Sequence, residues 1–421
     1  MRWIVLLILV VTPCLLMAAD APLTADGPIP PAPAALPLKL EDCVALALAS
    51  HPQLVEARAR IDEAHGSALQ AGLYPNPRID SGSPQIVGPR GTSVYSEGVT
   101  QEIVLAGKLK LNRAAAIEAT RQTEWDAVRK RFDVLTAVRQ EFFMTLAAQR
   151  RRTLLEKLLL LTKQSEKTSI GLFDAEQVSE TDVLLLRVER RRAETSLQSA
   201  EIVLEGRRRQ LAATLGTRNL KISAVEGSLA VPVTEFDDEQ VLMQVVQSSP
   251  LVQIANLDVN RTLLLLRRAQ VEWIPNPTIQ GGAQYSAATA NYQGLVGVYL
   301  DIPLWNKNQG NILAANAAVR RASATREIVQ QDLTRQLADA LARFRSAERA
   351  VKNYEEGIIP DATRTLDLVQ KAYGRGQFEI SRLLQTQRAV FETNVEYVSA
   401  LENRLLSAAE IAGLLQLEEF P

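Results

Sequence analysis

The residues that carry most covalent and metal chemistry are scarce in this sequence. Of its 421 residues only 2 are Cys and 2 are His. His51 and His65 are far apart and neither has a cysteine beside it, so they make neither a zinc cluster nor a nucleophile–base pair. Cys14 lies in an N-terminal apolar run, behind Pro13 where a lipid-attachment site normally has a small residue. Cleavage of that run would leave Cys43 as the only thiol, with no internal disulfide. Carboxylates are plentiful, yet none stands with a nucleophile or base in a catalytic pattern. No phosphate-binding glycine loop and no soft-ligand cluster occurs, so no cofactor and no resident metal are expected. Arg150-Arg151-Arg152, Arg190-Arg191-Arg192 and Arg207-Arg208-Arg209 suggest nucleic acid, but consecutive residues point around a helix rather than along one face. With 47 Lys+Arg against 48 Asp+Glu the net charge is -1, and a nucleic-acid partner is not expected. Neither is an enzyme.

The elements that hold such a chain together say more. Arg2 precedes an apolar run from Trp3 to Leu16 that ends in Met17-Ala18-Ala19, the pattern of a secretory signal over residues 1–19. The run is short of the roughly 20 residues a spanning helix needs. Residues 20–37 hold six prolines from Pro22 to Pro37 and read as a linker. At 47% hydrophobic and 23% charged residues, the remainder has the composition of a folded protein. No later apolar run reaches spanning length. If the exported chain crosses a membrane, it must do so with strands.

Length alone suggests about three domains, but internal repetition overrides that prior. Ser50-His51-Pro52 returns as Ser248-Ser249-Pro250, and Tyr74-Pro75-Asn76-Pro77 as Ile274-Pro275-Asn276-Pro277. Glu102-Ile103-Val104-Leu105 returns as Asp301-Ile302-Pro303-Leu304, followed by Lys108 and Lys307. Gln177 and Leu184 return as Gln377 and Leu384. All sit at an offset of about 200 positions, which marks a tandem duplication. Repeat 1 covers residues 38–218, a connector 219–236, and repeat 2 residues 237–421.

Each repeat has one internal order. A helical segment with proline at a helix start, where its missing N–H costs nothing, runs to a Pro-Asn-Pro stop. Two extended stretches joined by a turn follow, at about residues 78–104 and 278–303. In the last, Val296, Val298, Leu300 and Ile302 alternate with Leu295, Gly297, Tyr299 and Asp301, an apolar face against a mixed one. Next come helical runs of sixty-odd residues, about Lys108–Ile170 and Asn311–Tyr373, each a rod of about 95 Å. Gly171 in one repeat, and Gly374 and Gly376 in the other, mark reversals. Return helices at about Ser179–Leu215 and Ile380–Leu415 complete the hairpins.

Strands of nine to twelve residues are long enough to cross a bilayer when tilted. In lipid their edges must be paired, which requires a closed barrel, and barrels begin at about eight strands. Four strands per chain therefore imply two copies or three, and a lumen wide enough for solutes favours twelve strands. Trp273 and Trp305 bracket the second hairpin, and Tyr285, Tyr292 and Tyr299 lie within it, as aromatics do at membrane interfaces. The alternative is an ordinary small sheet with packed aromatics.

Leu38-Lys39-Leu40-Glu41-Asp42, with Ala45, Leu46, Ala47, Leu48 and Pro52, resembles the opening of TolC-type outer-membrane efflux channels. So do Gln101-Glu102-Ile103 through Gly107-Lys108, Pro303-Leu304 through Asn308-Gln309-Gly310, and Asp182-Val183-Leu184. The Gly107-Lys108 and Asn308-Gln309-Gly310 stretches are most similar to the CzcC-type heavy-metal branch. The resemblance implies a mainly α chain with transmembrane β-strands: tandem helical hairpins form a periplasmic α-barrel below a trimeric twelve-stranded outer-membrane β-barrel. It implies a passive channel of a tripartite system in the outer membrane of a Gram-negative-type bacterium, with a homotrimer, a periplasmic adaptor and a proton-driven inner-membrane pump as partners. The adaptor would meet the helical tips at Gly171, Leu172, Phe173, Gly376, Gln377 and Phe378, unless these are turn residues only. The family's narrow end carries a carboxylate at the position of Asp182. It has Asp where this chain has Arg382 and Gln385, which puts an all-carboxylate gate in doubt. The expectation is an Asp182–Arg382 pair that holds the aperture closed until an adaptor docks, against the alternative of surface charges on a wet helix. The cargo expected is heavy-metal cations, the alternatives being organic toxicants or a secreted polypeptide. A different class of reading is a soluble periplasmic coiled-coil scaffold.

Overall fold

The computed structural model describes residues 37–85, 93–217, 220–233 and 236–420. The expected signal, nearly all of the linker and the first hairpin's turn lie outside them. Repeat 1 comprises α1 (Leu40–Ser50), α2 (Pro52–Gln70), β1 (Arg78–Gln85), β2 (Val94–Glu102), α3 (Lys108–Asp174) and α4 (Glu180–Thr214). Repeat 2 comprises α5 (Asp238–Ser248), α6 (Pro250–Gln270), β3 (Thr278–Ser286), β4 (Asn291–Tyr299), α7 (Gln309–Asn353), a π-helical segment (Tyr354–Ile358), α8 (Ile359–Tyr373) and α9 (Ile380–Leu414).

Local chemistry sets these boundaries. Pro52 and Pro250 open α2 and α6 at the first helical position, where no N–H is needed. His51 caps α2, its Nδ1 accepting from Gln53 N at 3.2 Å. Proline stops end both helices before the strands. α3 is 67 residues long, about 100 Å at 1.5 Å per residue. Its counterpart α7–α8 covers the same span but bulges at the π segment, just before Pro360, whose ring removes a helix donor. α4 and α9 are 35 residues each, so each return helix covers the tipward half of its long partner. The other half is covered by α2 and α6, both of which pack on α3.

Three apolar clusters hold the helices. One joins α1, α3, α4, the connector and α9 around Cys43, Val138, Phe142, Leu211, Val225 and Leu405. A second joins α5, α7 and α9 around Val245, Leu337, Phe344 and Ile411. The third sits near the reversals, where Leu186 of α4 meets Val369, Tyr373, Ile380 and Leu383. The duplication is visible in the backbone. Positive φ falls at Gly107 and Asn308, at Glu176 and Gly376, and at Gly216 and Gln416.

That pattern corrects the expected turn of repeat 1. Gly171 is an ordinary residue of α3, and the left-handed position belongs to Glu176 (φ 56°). At both reversals a bond spanning five residues closes the helix end, Gln177 N to Leu172 O at 2.9 Å and Gln377 N to Ala372 O at 3.0 Å. The closing bond fixes which residue must turn left-handed, and in repeat 1 that residue is not a glycine.

The two hairpins form one antiparallel sheet of order β1-β2-β3-β4. β2 and β3 pair continuously from Val94↔Ser286 to Glu102↔Thr278. β1 is irregular between Gly82 and Gln85. The outer edges of β1 and β4 are unpaired among the described residues.

Candidate functional site: a two-faced sheet and a helical tip

Register divides the sheet into unlike faces. One row runs Ile79–Val99–Gly281–Val296, and the next Gln101–Ile279–Val298. Ile79 is 80% exposed and Val296 84%, values out of keeping with a surface bathed in water. Toward the hairpin ends the same face carries Tyr95, Tyr285 and Tyr292 in one row, the last two with ring centroids 4.9 Å apart. Below the sheet, Trp273 and Trp305 are also exposed. The opposite face carries Arg78, Asp80, Thr100, Gln280, Gln284 and Gln293. Thr100 donates to Asp80 at 2.5 Å, and Arg78 pairs with Asp80 at 2.7 Å. Nine-residue strands tilted by about 40° span about 23 Å, the height of a barrel's apolar band.

Tyr299 does not join the other aromatics. It lies on the polar face opposite Thr278, and its hydroxyl donates to Gln280 Oε1 at 2.8 Å. The row's third member is instead Tyr95. The sequence signal for Tyr95 was weak because Ser96, Glu97 and Gly98 beside it break the apolar alternation.

At the other end of the rods, Asp182 and Arg382 occupy equivalent places, the third residue of α4 and of α9. Asp182 closes a capping box: its carboxylate accepts from Ser179 N at 3.1 Å, and Ser179 Oγ accepts from Asp182 N at 3.3 Å. Arg382 faces the Phe378 ring, 4.5 Å from its centroid, a cation–π contact. The two do not pair within one chain. Gln385 is exposed one turn further along α9. Nearby Tyr373 is buried, and its hydroxyl is pushed above the usual phenol range by burial and further by the Asp182 charge, against the pull of Ser169. Leu172 and Phe378 pack on the tip cluster, while Phe173, Gly376 and Gln377 are exposed at the extremity. Buried Gln387 of α9 donates to Ser165 of α3 at 2.9 Å and ties the two hairpins together. Among the described residues no three His, Cys, Asp or Glu side chains could hold a metal ion. No helix there is long and apolar enough to cross a membrane, which says nothing of a barrel.

A sheet apolar on one face and polar on the other, continuous with helical rods of about 100 Å, is the architecture of a barrel-and-tunnel subunit. The model of the family described as outer membrane efflux protein matches residues 241–415, within repeat 2. The chain is similar to the cobalt-zinc-cadmium resistance protein CzcC of Cupriavidus metallidurans, 24% identical over 393 residues and 93% of each chain. Among solved structures it is similar to a membrane protein from Pseudomonas aeruginosa, with TM-score 0.79, 18% identity, and 89% of this chain and 92% of that one covered. CusC is similar too, with TM-score 0.78, 16% identity, and 89% and 91% covered. The second repeat thus matches the outer membrane efflux protein family, and the chain as a whole has the fold of these channels. That similarity favours a channel over a soluble scaffold.

Proposed function

We propose that three copies of this chain close a twelve-stranded barrel in the outer membrane. Its helical tunnel would reach through the periplasm to an adaptor and a proton-driven inner-membrane pump, and pass heavy-metal cations outward without consuming energy itself. The observation that carries the reading is the open four-stranded sheet, apolar on one face and polar on the other. In lipid its free edges must be paired, and twelve strands leave a lumen. Similarity to a cobalt-zinc-cadmium resistance protein along the whole length favours divalent cations as cargo.

The tips at Gly171, Leu172, Phe173, Gly376, Gln377 and Phe378 are the surface offered to the adaptor. Threefold repetition would turn Asp182 and Arg382 into neighbouring rings of opposite charge at the narrow end, with Gln385 as a neutral ring beside them. Native mass in detergent tests the assembly, with a trimer expected; a detergent-free monomer would refute it. Growth of a deletion strain tests the cargo. Sensitivity to cobalt, zinc or cadmium is expected, and sensitivity confined to organic toxicants would reassign the duct.

A further inference from the structure

Where the two hairpins meet, β2 and β3 are sealed at their helical end by a polar knot. Ile103 N donates to Pro277 O at 2.8 Å. Asn276 Oδ1 accepts from Leu105 N and from Lys108 Nζ, each at 3.1 Å, while Asn276 Nδ2 donates to Glu102 Oε1 at 2.6 Å. Lys108 is 3% exposed and also donates to Ile274 O at 2.6 Å. One half of the knot, Asn276, comes from the turn before β3. The other half comes from the end of β2 (Glu102), the turn after it (Leu105) and the start of α3 (Lys108).

Duplication has written both halves again, on opposite edges of the sheet. The registers fix the correspondence, because Arg78 faces Thr100 as Thr278 faces Tyr299. Asn76 therefore stands before β1 as Asn276 stands before β3, and Asp301 follows β4 as Glu102 ends β2. These second halves lie just beyond the ends of the two edge strands, on opposite sides of the sheet, and do not meet. Among the described residues, neither the Asn76 nor the Asp301 side chain makes a hydrogen bond or ion pair.

A glycine pair repeats in the same way. Gly98 faces Gly282 at the internal seam, where a Cβ on Gly282 would stand 2.2 Å from Glu97 O and 2.7 Å from Gly98 Cα. The corresponding residues are Gly297 on β4 and Gly82 on β1. A Cβ on Gly82 would meet nothing within 4 Å. The single chain gives Gly82 no reason to lack a side chain, whereas a strand laid beside it as β2 lies beside β3 would supply one.

We propose that the seam between neighbouring subunits copies the seam between the repeats. In it β4 pairs with β1 of the next subunit in the register Asp301↔Arg78, and Asp301 receives Asn76 of the partner subunit as Glu102 receives Asn276. The proposal rests on the multi-subunit barrel above and adds its register and the residues that set it. In this register Leu300 faces Ile79 on the apolar side, Gly297 faces Gly82, and opposite charges face each other at Asp301 and Arg78. The copy differs in one respect. The turn after β4 is longer than its counterpart, since Asn308 carries the positive φ held by Gly107. Gln309 consequently begins α7 where Lys108 begins α3, and the nearest cations are Lys307 in the turn and Arg78 across the seam.

The register is read by disulfide trapping in the full-length protein in its membrane. Arg78→Cys with Asp301→Cys is expected to give linked dimers and trimers under a mild oxidant. Arg78→Cys with Leu295→Cys, on the same face but about 20 Å out of register, is expected to give at least tenfold less. A complementary pair reads the knot. Asn76→Asp sets a carboxylate against Asp301 and lowers the trimer's dissociation temperature, and adding Asp301→Asn restores it. A native trimer in which the Leu295 pair links as well as the Asp301 pair, or in which the second substitution gives no rescue, overturns the seam and leaves the channel standing. A lone monomer overturns both.

Discussion

The rings of Tyr354 and Tyr397 stand 6.2 Å apart, and their hydroxyls bond crosswise. Tyr354 donates to Glu396 of α9 at 2.9 Å, and Tyr397 donates back to Glu355 of the π segment at 2.6 Å. The π turn leaves Ile359 N bonded to Tyr354 O, five residues back, a weak place in an otherwise regular rod. The crossed pair fastens that place to α9. It thereby sets how α8, which carries the tip, leans on the return helix.

Removing one hydroxyl leaves a carboxylate short of a donor. Tyr354→Phe and Tyr397→Phe should each cost about 1 kcal/mol, and the double variant should cost less than the sum because the pair is one unit. Both should raise the conductance of the purified protein in planar bilayers. Unchanged conductance would confine the clasp to a structural role. The Tyr397 hydroxyl is pushed up to about 12 by burial, helped by Glu355, from an ordinary 10. Because the folded state holds this proton longer than the unfolded state does, its contribution to stability is complete below pH 10. It is lost as pH rises from 10 to about 12, and Tyr397→Phe should flatten that part of the stability profile.

Cys43 of α1 is fully buried against α3, and its thiol is pushed up to about 12, by burial first and by Asp42 second. Since the thiolate is the reactive form, a maleimide should label the folded protein at pH 7.5 at least a hundredfold more slowly than the protein unfolded in denaturant. Mass spectrometry of the adduct reads the difference. Rapid labelling of the folded protein would mean that α1 opens readily from the core.

Much of this architecture was legible because duplication let a weak signal in one repeat borrow from the other. β1, with Gly82 and Pro84, is a poor strand by propensity, but β3 at the same place is a good one. Period-two alternation set Tyr299 apart from Val296 and Val298, but residue type grouped it with the interface aromatics, and the structure puts it on the polar face. The tip was less legible. Gly171 attracted the turn because glycine tolerates positive φ, yet hydrogen-bond closure at the helix end chose Glu176. Ser179 and Asp182 form a capping-box pattern with a meaning of its own. Family likeness pointed at the same carboxylate for another reason. The π bulge before Pro360 interrupts a rod that apolar spacing reads as continuous.

Glu176 and Gly376 hold the same left-handed place in the two turns, so substitutions there should act in opposite directions. A residue with a Cβ pays about 1 kcal/mol for that conformation. Glu176→Gly should slow hydrogen exchange at Gln177 and at the first amides of α4, and Gly376→Ala should speed it at Gln377 and the start of α9. Equal responses of the two turns would show that contacts across the tip, rather than backbone strain, control them.

Arg139 sits in α3 at 1% exposure, with no carboxylate partner and its Nε unbonded among the described residues. Its guanidinium instead holds the end of the chain, donating to Leu417 O at 3.0 Å and to Glu418 O. Burial pulls its pKa down, but an arginine remains charged. Deleting residues 417–421 would therefore leave a buried cation without acceptors, which costs about 3 kcal/mol or more. Part of any loss comes from Phe420, whose ring lies 5.0 Å from that of Phe143. Phe420→Ala measures that part separately. If the stranded charge dominates, Arg139→Met should partly rescue the truncated chain while mildly destabilising the full-length one, giving opposite signs in the two backgrounds. Thermal unfolding of the four variants in detergent decides it: additive losses would assign the C-terminal end to packing alone.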